Sequence, residues 1–212
     1  MIINGIIGIV VGYLLGSIPS AYIAARLAKG QDIRQIGSGN VGGLNIYREI
    51  GAKAAVAVAI VDIGKGAAAV AVAYWLLSLD QPWVLAAGLA AVIGHNWMVW
   101  LKFSGGKGMG STIGALAVLM PLYGYWYGVL IFLGIVAIPT AITRNIALSM
   151  GIGLLALPFI AWLVIESVPF IAWSIALDIL IVLKFIPTAR AAWAKTENKK
   201  DFVFDRWHRD KR

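Results

Sequence analysis

Long apolar runs alternate along this chain with two short, polar segments rich in glycine. Residues 2–28 are almost continuously apolar and predict a first helix, broken at GSIPS over residues 16–20, where Pro19 should kink it. Ser17, Ser20, Tyr22 and Arg26 put polar groups on the half of that helix that approaches the first polar segment. Apolar runs over residues 54–79 and 84–101 predict two more helices, joined at residues 80–83 by a connection without Lys or Arg. The next stretch, 113–142, is short for two spans and long for one. Two further runs, 146–165 and 169–187, flank a turn at Glu166, Ser167 and Val168.

Composition turns these runs into membrane spans. Of 212 residues, 60% are hydrophobic and only 13% charged, against about 25% charged in a soluble domain. Crossing about 30 Å of hydrocarbon takes roughly 20 helical residues, and buried backbone polar groups there are satisfied within helices. The expectation is an all-α, polytopic helical membrane protein: one transmembrane domain over residues 1–187 and a basic cytoplasmic tail over 188–212. No cleaved signal peptide is expected, since the first run lacks a basic leader and a cleavage site.

Charge sets the topology. The net charge of +8 fits cytoplasmic loops and anionic lipid rather than nucleic acid. The segment over residues 29–53 carries Lys29, Arg34, Arg48 and Lys53 against Asp32 and Glu49, and the second segment carries Lys102 and Lys107, so both belong inside. If residues 113–142 cross once, the tail with Arg190, Lys195, Lys199, Lys200, Arg206, Arg209, Lys211 and Arg212 ends outside, against the bias. Two short helices turning near residues 121–127 remove the conflict. That gives about seven transmembrane helices, N-terminus out and C-terminus in, with both glycine segments at the cytoplasmic face. The tail alternates its cations with Trp193, Phe202, Phe204 and Trp207, a pattern suited to an anionic surface.

The candidate chemistry lies in those two segments. GSGNVGGLNIYR over residues 37–48 carries Gly37, Gly39, Gly42 and Gly43, which allow positive φ and a concave row of amide donors. Ser38, Asn40 and Asn45 add side-chain donors, and Arg48 adds a fixed charge. FSGGKGMGST over residues 103–112 repeats the character with Gly105, Gly106, Gly108, Lys107 and Ser111. Two such loops suit two phosphate-bearing groups. Asp62 and Lys65 lie one turn apart inside an apolar helix; either they pair and fix packing, or Lys65 works near the phosphates. His95 at a helix end is either a hydrogen-bonded structural group or part of the substrate site.

Several chemistries are excluded. A nucleotide phosphate loop needs Gly and then Ser or Thr where Leu101 and Gly108 stand. A GxGxxG reading of residues 37–42 lacks its βαβ context. Two histidines, His95 and His208, and no cysteine leave no multi-histidine or thiolate metal site. No Asp follows His95 in the His-x₄-Asp spacing of one large acyltransferase class, and no nucleophilic triad is in view. Amide nests, Arg48 and Lys107 suit a substrate that brings its own driving force. An acyl phosphate does, because phosphate leaves as an anion and one of its oxygens can take the acceptor's proton.

At this point the chain resembles the bacterial acyl-phosphate-dependent glycerol-3-phosphate acyltransferases of the PlsY type. The resemblance runs through GSIPSAYIAAR (residues 16–26), DIRQIGSGNVGGLNIYR (32–48), DIGKG (62–66) and GHNWMVWLKFSGGKGMGST (94–112). It implies transfer of a fatty acyl group from acyl phosphate to the sn-1 hydroxyl of glycerol 3-phosphate, in the bacterial inner membrane, with no metal or other cofactor. Its phosphate-site residues fall on Ser38, Asn40, Asn45, Arg48 and Lys107. The chain departs from the family pattern at Leu44, where a threonine is usual, at Met98 for a proline, at Ala147 for a serine, and at Phe185 and Thr188 for a His-x-x-Asn pair. Those departures motivate a second reading, a non-catalytic, lipid-holding or structural subunit of a membrane complex with protein partners. Asp62, Lys65 and Asp178 inside helices motivate a third, a transporter, against which stands the lack of an inverted repeat.

Overall fold

The structure, a computed structural model, describes residues 2–195, apart from the side chains at 188, 191, 192 and 195. Every regular element among the described residues is helical, and β-pairing there is confined to an isolated bridge between Met98 and Ser104. The chain forms two compact units, Met1–Leu122 and Tyr123–Arg212.

In the first unit, α1 (Ile2–Gly16) and α2 (Ser20–Lys29) are separated by a full break rather than the expected kink. Pro19 supplies no amide to continue the ladder, and the Ile18 carbonyl at the break accepts from the Ser20 amide at 3.0 Å and from Lys65 Nζ at 2.9 Å. Irregular backbone inside an apolar protein persists where such a partner replaces the lost bond. The polar segment that follows contains a 3₁₀ turn, Ile33–Gln35, and a short helix, α3 (Gly43–Glu49), neither of which hydrophobic periodicity predicts.

The long α4 (Ala52–Ala71) continues as a π-helical turn to Leu76. α5 (Gln81–Asn96) stops short of the expected residue 101, and a 3₁₀ turn, Val99–Leu101, carries the chain into the second glycine loop. α6 (Met109–Leu122) completes the unit.

The packing is inverted relative to a soluble protein. α1 buries Gly5, Gly8, Gly12 and Gly16 and turns Ile2, Ile3, Ile6, Ile7 and Val10 outward. Lipid tails are as apolar as isoleucine, so helices associate here through close backbone contact at small residues. A Cβ at Gly16 would strike the Ala91 carbonyl of α5, and one at Gly114 the Ile63 carbonyl of α4. Two helix pairs, α1 with α5 and α4 with α6, are thereby locked at glycine-set separations.

In the second unit, α7 (Gly128–Thr143) packs on α8 (Ile146–Ile160), with Gly153 against Phe132 and Val136. A π-helical turn, Ala161–Ile165, and Glu166 at φ 53° lead into α9 (Val168–Lys195). Residues 113–142 thus hold two helices with residues 123–127 between them, as the charge argument required. α9 does not end at Pro187 as expected; it runs to Lys195, because the Ala- and Arg-bearing sequence beyond favours helix. The rest of the basic tail, with Phe202, Phe204, Trp207 and His208, lies outside the described residues.

Among the described residues, four helical stretches are long and apolar enough to cross a bilayer by length and composition: Ile2–Lys29, Ala52–Leu76, Ile146–Ile165 and Val168–Pro187. α6 and α7 are apolar but shorter.

Candidate active site

The first loop is built on Asp32. Its carboxylate accepts from the Arg34 backbone at 3.0 Å and from the Arg34 guanidinium at 2.6 Å. The hydrogen bonds from Arg34 hold the Asp32 carboxyl below the usual carboxylate range. Arg34 also donates to the Leu101 carbonyl at 3.2 Å, which ties the stem of the first loop to the stem of the second.

Gly37 and Gly39 then take φ of 59° and 70°, the left-handed region expected of them. Gly42 and Gly43 do not. Gly42 is extended at φ −159° and caps α3, while Gly43 is its first residue, so the nest is narrower than the glycine count suggests. Asn45 is 2% exposed and braces the loop from inside. Its Oδ1 accepts from the Ser38 amide at 3.0 Å, and its Nδ2 donates to the Ile36 carbonyl at 3.1 Å. Ser38 is exposed; Asn40 and Arg48 are half-buried, and so is Leu44. α3 is anchored by Ile46, which sinks with Val41, Met98 and Leu101 into one apolar cluster. Met98, at a position where the family pattern has proline, is fully buried there.

The second loop turns sharply at Lys102 and Phe103, both at positive φ, and lies down on the end of α5. The Gly106 amide donates to the His95 carbonyl at 3.0 Å. A Cβ at Gly105 would overlap the His95 and Asn96 carbonyls. One at Gly106 would overlap the His95 ring and come within 2.6 Å of the Val41 carbonyl in the first loop. Only glycine permits that approach, and it brings the two loops into contact. Gly108, at φ 75°, opens α6, whose first amides and dipole add positive potential beside Lys107. Burial, and next the Arg48 charge, push the half-buried Lys107 ammonium down to about 8. Arg48 and Lys107, from loops that are distant in sequence, are electrostatic neighbours.

Under the second loop lies a buried polar cluster. Asp62 Oδ1 accepts from Ser20 Oγ at 2.6 Å, pairs with Lys65 Nζ at 2.8 Å and stands 3.5 Å from His95 Nδ1. Ser111 Oγ donates to the Asp62 carbonyl at 3.2 Å, and Thr112 beside it is also buried. Lys65 is therefore committed to Asp62 and the Ile18 carbonyl, within the helix packing, while His95 touches both the cluster and the loop. The sequence left Lys65 open between a pair with Asp62 and a place near the phosphates, and did not reveal Ser20 and His95 as neighbours of Asp62. The available signal was that a membrane-buried carboxylate needs partners, and both residues are polar groups at helix ends, Ser20 at the start of α2 and His95 near the end of α5.

The arrangement offers an anion site: the start of α6, one exposed hydroxyl and two neighbouring cations, while the amides of Ser38, Gly39, Gly42 and Gly106 are spent holding the loops in shape. Among the described residues, no group of three or more His, Cys, Asp or Glu is spaced to hold a metal ion. Ala147 and Phe185 lie in the second unit, on α8 and α9, and Thr188 is on α9.

A family model described as glycerol-3-phosphate acyltransferase matches residues 6–195. Glycerol-3-phosphate acyltransferase 1 of Dehalococcoides mccartyi is 48% identical over 201 residues, covering 95% of this chain and 97% of that protein. Glycerol-3-phosphate acyltransferase 2 of the same organism is 41% identical over 182 residues, 86% of this chain and 84% of that one. Two crystal structures of PlsY, an integral membrane glycerol 3-phosphate acyltransferase, share the fold. The glycerol 3-phosphate form superposes with a TM-score of 0.78 at 28% identity, over 92% of this chain and 94% of that one. The lysophosphatidic acid form does so with a TM-score of 0.73 at 26% identity and the same coverage. With a family model spanning most of its length and relatives this similar end to end, the chain belongs to the glycerol-3-phosphate acyltransferase family, of the PlsY type.

Proposed function

We propose that this protein transfers a fatty acyl group from an acyl phosphate to the sn-1 hydroxyl of glycerol 3-phosphate, giving lysophosphatidic acid and phosphate. The observation that carries the reading is the meeting of the two glycine loops, Gly106 against Val41, with Arg48 beside Lys107. Donor and acceptor each bring a phosphoryl group, and two cations with the start of α6 suit the pair. The relatives named for glycerol 3-phosphate, and the PlsY forms with glycerol 3-phosphate and lysophosphatidic acid, support the acceptor and the product.

In this reaction the acceptor hydroxyl oxygen attacks the acyl carbon. The bond from that carbon to the phosphate oxygen breaks, its electron pair leaves with phosphate, and a phosphate oxygen takes the hydroxyl proton. Arg48 and Lys107 offset the charge that grows on the leaving phosphate, the Ser38 hydroxyl donates to it, and the N-terminus of α6 helps orient the phosphates. The scheme asks for no metal or other cofactor. It puts the loops at the cytoplasmic face of a bacterial inner membrane, in a chain with about seven crossings, N-terminus out and C-terminus in.

The test is direct. Protein reconstituted in fresh lipid and supplied with acyl phosphate and glycerol 3-phosphate should release phosphate and form lysophosphatidic acid, and Arg48→Ala or Lys107→Ala should stop both. No turnover by the unsubstituted protein would overturn the proposal. That outcome would favour a lipid-holding subunit, a reading to which the half-buried, apolar Leu44 beside Asn45 gives a motive.

A further inference from the structure

The acyl-transfer scheme makes no use of Asp62, although the fold gathers four segments around it. Ser20 at the start of α2, the Ile18 carbonyl in the α1–α2 break, Lys65 in α4 and His95 near the end of α5 all converge on this 4%-exposed residue or on its lysine partner. Lys65 at 2.8 Å already balances the carboxylate charge and Ser20 at 2.6 Å already donates to it. A histidine is not needed for neutrality. What His95 adds is direction. Its Nδ1 faces Asp62, while its Nε2 lies so close over Gly106 that any Cβ there would overlap it. Its backbone carbonyl holds the Gly106 amide at 3.0 Å. The imidazole is thus the floor of the second loop, and Gly106 is both the residue before Lys107 and the one that meets the Val41 carbonyl of the first loop.

We propose that Asp62 is a positioning residue for the anion site: through His95 it seats Gly106, and so sets Lys107 against the first loop. The inference rests on the acyl-transfer reading for its consequence, though not for its geometry. A buried ring with a carboxylate 3.5 Å from one nitrogen and the Gly106 backbone against the other is set from both sides, and the loop laid on it inherits that order. Without the carboxylate the ring loses its charged neighbour at Nδ1, and a shift of about 1 Å at a reacting group costs on the order of a hundredfold in rate.

The experiment compares the full-length protein with three variants. His95→Gln removes the ring. Asp62→Asn combined with Lys65→Met removes both buried charges together, so that neither is stranded. The third variant carries all three changes. Two quantities are read: kcat/KM for phosphate release, and hydrogen exchange of the peptide over residues 102–110 alongside peptides from α4 and α5.

The expected result is a loss of about tenfold or more in kcat/KM for each of the first two variants and no larger loss for the third, the non-additivity of residues acting along one path. Exchange of the loop should rise in all three while α4 and α5 stay protected. Losses that multiply, an unchanged loop, or exchange that rises equally in α4 and α5 would each assign Asp62 to helix packing alone and overturn the proposal. Should the unsubstituted protein release no phosphate, the acyl-transfer reading fails by itself. The exchange comparison then still decides whether Asp62 orders the loop.

Discussion

Lys107 has two features that make its chemistry measurable: burial and the adjacent Arg48 hold it at about 8, well below an ordinary lysine. Only the ammonium form pairs with phosphate, so anion binding should be complete below that value and fade as pH rises through it. Phosphate monoesters take their second charge near pH 6, which places the optimum between about 6 and 8. A profile of phosphate release still rising at pH 9 would contradict this. Arg48→Gln should move Lys107 upward but not back to an ordinary value, because burial is the larger cause; labelling of Lys107 with an amine-specific reagent across pH reads the shift.

Gly106→Ala should be far more damaging than its single methyl suggests, since the new carbon would overlap the His95 ring and crowd the Val41 carbonyl. Phosphate release should fall about a hundredfold. Asn45→Ala strands the Ser38 amide and leaves the Ile36 carbonyl with the Gly39 amide alone, and should cost about 1–3 kcal/mol in a thermal or denaturant unfolding measurement.

Among the elements, α1 and α5 are held by backbone contact, and that contact depends on glycine. Gly94→Ala in α5 would drive a methyl into the Tyr13 carbonyl of α1, and overpacking of this kind costs about 1–3 kcal/mol. Gly64→Ala in α4 is the matched opposite. Gly64 is exposed with nothing within 4 Å of a new Cβ, so the gain in helix propensity of about 0.8–1 kcal/mol should stabilise the protein. Thermal unfolding of the two variants in the same detergent should therefore shift in opposite directions. The same packing positions the site: α5 ends at Asn96 because the second loop must fold back over His95, and α6 starts at Met109 where Gly108 turns the chain.

For the whole molecule, the proposal requires both glycine loops to face one side of the bilayer and the connection at residues 80–83 to face the other. The chain has no cysteine, so single replacements report cleanly. Lys29→Cys and Lys102→Cys, both at exposed positions, should react with a membrane-impermeant thiol reagent only after permeabilisation. Asp80→Cys should react in intact cells. Labelling of Lys29→Cys and Lys102→Cys from opposite sides would remove the common site and the acyl-transfer scheme with it.

The sequence by itself determined the class of molecule and marked the two loops that are proposed to carry its chemistry. Apolar runs of helical length leave a chain no alternative but to satisfy its backbone in helices, and the motifs around Ser38, Arg48 and Lys107 marked the two loops. It could not determine α3, whose seven residues are stabilised by Ile46 sinking into a cluster supplied by distant segments. Nor could it separate the uses of glycine. Gly39 bends the backbone, Gly42 caps a helix in an extended conformation, and Gly106 makes room for a neighbour. Each reads as the same letter. The Asp62 cluster was decided by tertiary structure for the same reason: Lys65 lies one turn away and is legible, whereas Ser20 and His95 arrive only when α2 and α5 pack against α4. Local conformation is written in neighbouring residues, but a buried charge takes its partners from whatever the packed helices bring within a few ångströms.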